Sequence, residues 1–137
     1  MTAVPTTVLT GGCLCGATRY AAAGAPRNVR VCHCRLCQAA VGAAFNARAV
    51  FPRAAVEIAG PVGRYPSSPE VVRGFCRACG TALFSERAGA DAIGLTLGSM
   101  DDPDACPRPT EHVWTSRRQA WLRLDDGLPQ HPEGAPP

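Results

Sequence analysis

Three cysteines fall within six residues at Cys32-His33-Cys34-Arg35-Leu36-Cys37, and two pairs flank them, Cys13-Leu14-Cys15 and Cys76-Arg77-Ala78-Cys79. A C-x-C or C-x-x-C claw lets two thiolates from one turn bind a single ion. Zinc takes four such ligands at about 2.3 Å in a tetrahedron. A closed site uses four thiolates, so seven suggest two ions, one with four ligands and one with three. Keeping the local cluster intact gives Cys32, Cys34 and Cys37 to one ion. Cys13, Cys15, Cys76 and Cys79 then hold the other, tying together segments roughly 60 residues apart in a long closed loop.

The three-cysteine site carries the chemical interest. Three protein ligands and an open fourth position distinguish catalytic zinc from structural zinc. The alternative is closure by a fourth protein ligand: His33, His112 or an aspartate at 101–102. His33 sits inside the claw, where its side chain is expected to point away from the ion. Soft thiolates favour zinc over magnesium or calcium. Three thiolates also weaken the ion's Lewis acidity, which suits coordination of a soft sulfur better than generation of hydroxide. Cys106 stands alone before Pro107 and is expected to bind nothing. Asp101 and Asp102 are candidates for a general base, but Asp-Asp-Pro reads first as a turn. His112 reads as a hydrogen-bonded structural residue, and Tyr20, Phe45, Trp114 and Trp121 as core.

Short extended segments must hold these claws. Strands are expected at 8–9, 17–23, 28–31, 43–50, 56–58, 63–65, 71–75, 81–85, 92–97 and 111–116, with turn residues between them. Helical turns are expected at 35–41 and 118–124. Gly11, Gly12, Gly16 and Gly80 bracket the claws, where tight knuckles need positive φ. Residues 1–10 read mainly as a loose lead-in, and from Asp125 the Asp, Gly and Pro content predicts a loose tail. The sum is a mainly β single domain with little helix, spanning 1–137 with its core at about 8–130.

Composition sets the outer limits. The chain has 137 residues, 46% hydrophobic and 18% charged, which suits a globular domain. Its apolar residues lean on alanine and valine, so cross-linking by metal matters more than usual. A net charge of +3, carried by dispersed arginines, is too small to argue for nucleic acid by itself, and a nucleic-acid partner is not expected. No apolar run reaches the roughly 20 residues of a membrane helix. The first ten residues lack a basic start and an apolar stretch, so no signal peptide is read and a cytoplasmic location is expected. There, cysteine claws are metal sites more often than disulfides.

Gly12-Cys13-Leu14-Cys15-Gly16, Cys32-His33-Cys34-Arg35-Leu36-Cys37 and Phe75-Cys76-Arg77-Ala78-Cys79-Gly80 together resemble the glutathione-dependent formaldehyde-activating enzyme family, which includes centromere-protein-V-like proteins. The resemblance continues through Gly98-Ser99-Met100-Asp101-Asp102-Pro103, His112-Val113-Trp114, Trp121 and Leu128-Pro129. It implies a small Mss4-like β fold stapled by zinc. It also implies a structural zinc at Cys13, Cys15, Cys76 and Cys79 and a catalytic zinc at Cys32, Cys34 and Cys37, the division that spacing already suggested. The implied activity is that of a carbon–sulfur lyase on small thiol adducts such as S-hydroxymethylglutathione. Nothing in the residues themselves specifies glutathione, whose two carboxylates need cations. Arg30, Arg35, Arg48 and Arg73 are nearest the claws in sequence, although solvated surface arginine is their ordinary reading. The competing functions are a non-catalytic zinc module for protein or nucleic acid, and a zinc sensor or store. The sequence does not set the oligomeric state.

Overall fold

The computed structural model describes residues 7–135. In chain order the elements are β1 (Val8–Gly12), β2 (Arg19–Ala23), β3 (Asn28–Cys32), α1 (Arg35–Val41), β4 (Asn46–Pro52), β5 (Val56–Ala59), β6 (Val62–Pro66), β7 (Val71–Cys76), β8 (Ala82–Arg87), β9 (Ala92–Thr96) and β10 (Glu111–Val113). Short 3-10 turns fill several connections. The expected mainly β fold with little helix is what forms. Of the lead-in expected at the N-terminus, residues 1–6 lie outside the described residues.

Two sheets carry the fold. A small one has the order β1-β2-β5, and a large one has the order β10-β3-β4-β9-β8-β7-β6. Every pairing is antiparallel except β10 on β3. Alternation along the strands gives the large sheet two unlike faces. Val29, Ala49, Phe51, Ile93 and Leu95 share one face and pack with Leu9, Tyr20 and Ala22 of the small sheet as the core. Asn28, Arg30, Cys32, Arg48, Gly94, Ser85 and Arg73 share the other. The core therefore sits between the sheets, and the polar face is left to build a site.

Helix α1 crosses the end of that polar face. Cys34 is its N-cap, with Sγ accepting the Cys37 amide at 3.3 Å. Gly42 closes it at φ 65, and its amide reaches the Gln38 carbonyl at 2.8 Å. Seven residues are too few to hold a helix by propensity, so tertiary contact holds it. Gln38 supplies part of that contact, donating to the carbonyls of His33 and Arg117.

The structure departs from expectation mainly after β10. The strand expected over 111–116 stops at Val113, because Trp114 takes the left-handed conformation at φ 58 and a 3-10 turn follows. No helix forms over 118–124; the Arg118 guanidinium binds the Leu122 carbonyl instead, and a lone turn lies at 120–121. A segment that short, with no buried face, does not nucleate a helix. Within the tail expected to be loose, residues 129–133 are hydrogen-bonded to β10 and the residue after it. The His112 amide donates to the Pro129 carbonyl and the His131 amide to the His112 carbonyl, both at 2.9 Å, and the Trp114 amide reaches the Glu133 carbonyl at 2.8 Å. Proline donates no hydrogen bond but still accepts one, so a Pro-rich segment can cover an open strand edge. Three aromatics expected in the core are not buried. Trp121 is 69% exposed, Phe45 tilts against the His33 ring, and Trp114 faces a cavity. Tyr20 is buried, as expected. No helix among the described residues is long and apolar enough to cross a membrane.

Candidate metal centres and the adjoining cavity

The thiol sulfurs of Cys13, Cys15, Cys76 and Cys79 form one group and those of Cys32, Cys34 and Cys37 another, each within 4.8 Å. In the first group Cys13 follows β1 and Cys76 ends β7, so the group joins the small sheet to the large one. Its two claws are built alike. Gly16 at φ 79 and Gly80 at φ 81 return their amides to the carbonyls of Cys13 and Cys76, at 3.1 and 2.8 Å. Amides also point at sulfur, from Thr18 to Cys13 at 3.2 Å and from Ala78 to Cys76 at 3.3 Å. The edge of a zinc–thiolate tetrahedron is about 3.8 Å, given bonds of about 2.3 Å. Cys13 and Cys15 have sulfurs 3.5 Å apart, and Cys15 and Cys76 3.9 Å. The donor set and its spacing fit a zinc-sized soft cation.

Proton affinities within this group diverge. The Thr81 hydroxyl and amide pull the Cys79 thiol down to about 5. The Ala17 amide favours the Cys15 thiolate, but the neighbouring thiols, Cys13 first, drive it up to about 11. Crowded thiols without a cation cannot all ionise, whereas a bound dication deprotonates its ligands outright.

The second group comes from one turn: Cys32 ends β3, Cys34 caps α1 and Cys37 lies in its first turn. The Cys37 thiol is strongly lowered, first by hydrogen bonds from Cys32 and Cys34, then by the charges of Arg73 and Arg48. The Cys32 thiol is driven strongly upward by Cys34, by Cys37 and by burial. Among the described residues no fourth histidine or carboxylate joins the group. Asp101 binds Arg19 and Thr10 instead, and Asp102 caps the 3-10 turn that follows it, as expected of a turn. Cys106 is buried in the core away from both groups, and burial raises its thiol.

His33 points away from the sulfurs into a buried chain that the sequence reading did not foresee. Asp126 accepts from His112 Nε2 at 2.7 Å, which leaves His112 Nδ1 to accept from His33 Nε2 at 2.9 Å. His33 is fully buried, and burial lowers its proton affinity, so it is neutral. The chain ties the tail to β10 and β10 to the turn that carries the thiols. No local pattern announces it, because its three members lie 79 and 14 residues apart.

A cavity of about 810 Å³ opens beside the three thiols. Its floor is the polar face of the large sheet, α1 overhangs it, and Trp114, Gly134 and Ala135 border it. Arg30, Arg35, Arg48 and Arg73, close to the claws in sequence, all line it, and Arg87 and Arg117 join them. Arg73 Nη1 lies 3.5 Å from Cys37 Sγ. Ser85, Gly94 and the tail residues were missed. The available signal was period-2 polarity along strands whose other face is apolar.

Three comparisons bear on this architecture. The family model described as glutathione-dependent formaldehyde-activating enzyme matches residues 8–117. An uncharacterized lyase of Schizosaccharomyces pombe is 34% identical over 74 residues, 54% of this chain and 54% of that protein. The chain thus aligns with about half the length of this curated relative. A crystal structure of a Rhodobacter sphaeroides protein superposes with a TM-score of 0.57 at 19% identity, covering 73% of this chain and 96% of that one. At that identity the likeness is one of fold. With claws, cavity and matched span in agreement, the chain belongs to the glutathione-dependent formaldehyde-activating enzyme family.

Proposed function

We propose that this protein is a zinc-dependent carbon–sulfur lyase acting on small thiol adducts of the S-hydroxymethylglutathione kind. The observation that carries the reading is the placing of three convergent thiols, with no fourth protein ligand among the described residues, at the wall of a large cationic cavity. Cys32, Cys34 and Cys37 would hold the catalytic zinc, and Cys13, Cys15, Cys76 and Cys79 a structural one, giving two ions per chain. Bound by three thiolates, zinc supplies a position for a substrate sulfur and stabilises it as thiolate. Family membership and the lyase name of the relative support the reaction class.

The overall change is the breaking of a C–S bond. The adduct hydroxyl gives its proton to solvent water, its oxygen forms the carbonyl of formaldehyde, and sulfur leaves with the bonding pair as thiolate. The reverse sequence makes the adduct. The chain's own residues prepare both directions. Arg73 and Arg48 add positive potential beside Cys37, which favours thiolate over thiol. Trp114 and Ala135 line the site on the side of the tail. Asn46 Nδ2 approaches Cys37 Sγ at 4.0 Å and helps orient it. We further take the chain as one domain working in a reducing compartment such as the cytoplasm, where seven clustered thiols stay available to metal.

The test is spectroscopic. Cobalt-substituted protein titrated with glutathione and other small thiols should change its thiolate-to-cobalt bands at millimolar ligand. Absence of change with every thiol removes the lyase reading and favours a non-catalytic zinc module.

A further inference from the structure

The cavity carries more charge than a thiol needs. Six arginines border it, against one carboxylate, Glu70. Glu111 pairs with Arg30 at 2.5 Å and Glu70 with Arg87 at 3.2 Å. Among the described residues, Arg35, Arg48, Arg73 and Arg117 have no carboxylate partner.

Geometry singles out Arg48. It stands on β4, and its side chain lies across β9 over Gly94. A Cβ added at Gly94 would sit 3.1 Å from Arg48 Cδ and 3.2 Å from Ser85 Oγ. The bare backbone of Gly94 is what lets the side chain lie along the floor beside that hydroxyl. Register places Arg73 directly opposite Ser85 on the next strand. Arg73 in turn reaches Cys37 Sγ at 3.5 Å. Arg48, Ser85 and Arg73 therefore form a row from the middle of the floor to the thiol group. Arg48 Nη1 is also buried without an acceptor. A partly buried guanidinium with an unfilled donor and no carboxylate partner is unfavourable in itself, and an anion supplies the missing acceptor. Two guanidinium groups with a hydroxyl between them match the planar, multiply accepting carboxylate.

We infer that Arg48, flanked by Ser85 and Arg73, is a specificity-determining residue that grips a carboxylate carried by the thiol substrate. This rests on the reading of the cavity as a thiol-adduct site: sulfur meets the cysteine turn while the carboxylate meets the floor. Selection by charge then separates carboxylated thiols from neutral ones of the same length.

The experiment is calorimetric titration of the zinc-loaded protein with 3-mercaptopropionate and with 3-mercaptopropionamide, which have the same length and differ in charge. Wild type, Arg48→Gln and Gly94→Ala are compared, with melting curves to verify folding. Wild type should prefer the carboxylated thiol. Arg48→Gln should cut that preference by about ten- to a hundredfold, the range for hydrogen bonds to a charged group. Gly94→Ala keeps the charge but shifts it, and should cut the preference by less. A preference unchanged in Arg48→Gln, or a wild type that binds both thiols alike, overturns the carboxylate grip and leaves the thiol chemistry standing. A wild type that binds neither thiol overturns the thiol reading and this inference together.

Discussion

Single side chains do unequal work here, and Asp101 illustrates it. The Asp-Asp-Pro segment offers a carboxylate to catalysis on paper. In the fold Asp101 spends its oxygens on Arg19 and Thr10, which hold its carboxyl down to about 2. A depressed carboxyl contributes stability that is present above its ordinary range near 4 and is lost as pH falls toward 2. Asp101→Asn should therefore lower the melting temperature at pH 7 by only about 1–2 °C, since the pair is half-exposed. The difference should vanish in melts below pH 2. Asp126→Asn tests the link between the tail and β10. Loss of the charged acceptor for His112 should lower the melting temperature by about 2–4 °C and weaken amide protection at His112 and His131 in hydrogen exchange. Equal protection in the variant would show that the tail holds without that carboxylate.

Elements were legible to the extent that their physics is local. Short extended runs between turn residues placed nearly every strand, and the capping pattern of Cys34 and Gly42 agrees with a helix at 35–41. What failed was non-local. The tail is ordered by the empty edge of β10, which no property of the tail reveals. Trp121 reads as core by type, yet its neighbourhood offers no apolar face to bury it. The cysteine groups were readable because claw spacing is a local property. The cavity residues Ser85 and Gly94 were not, because they acquire meaning only once β8 and β9 lie beside β4. Gly60 is a further test at this scale. It sits at φ 113 with the Ala17 carbonyl where a Cβ would go, so Gly60→Ala combines strain and a backbone clash. The expected loss is about 2 kcal/mol or more in denaturant unfolding. A loss below about 0.5 kcal/mol would mean that the β5–β6 turn relaxes freely.

At the scale of the whole molecule, the two cysteine groups differ in what they join. The four-cysteine group links two sheets, while the three-cysteine group lies within one turn. On the proposed reading, metal binding at the first would be folding energy, and at the second it would be mainly site chemistry. Cys76→Ala should leave the protein largely unfolded or aggregated. Cys34→Ala should keep a cooperative melt and lose one of two zinc ions by metal analysis. Equal destabilisation of the two variants would erase the division of roles. Cys106→Ala should keep both ions.

The wall that shelters the three thiols is made late. Ala135 packs against Cys32, Cys37 and Val113, roughly 100 residues after the cysteines themselves. At synthesis rates of about 5–20 residues per second, the cysteine turn waits about 5–20 s for its cover. A growing chain thus presents three adjacent thiols to oxidants before their shelter exists. Whatever guards them in that interval, early metal capture or reducing surroundings, must act before the fold is complete.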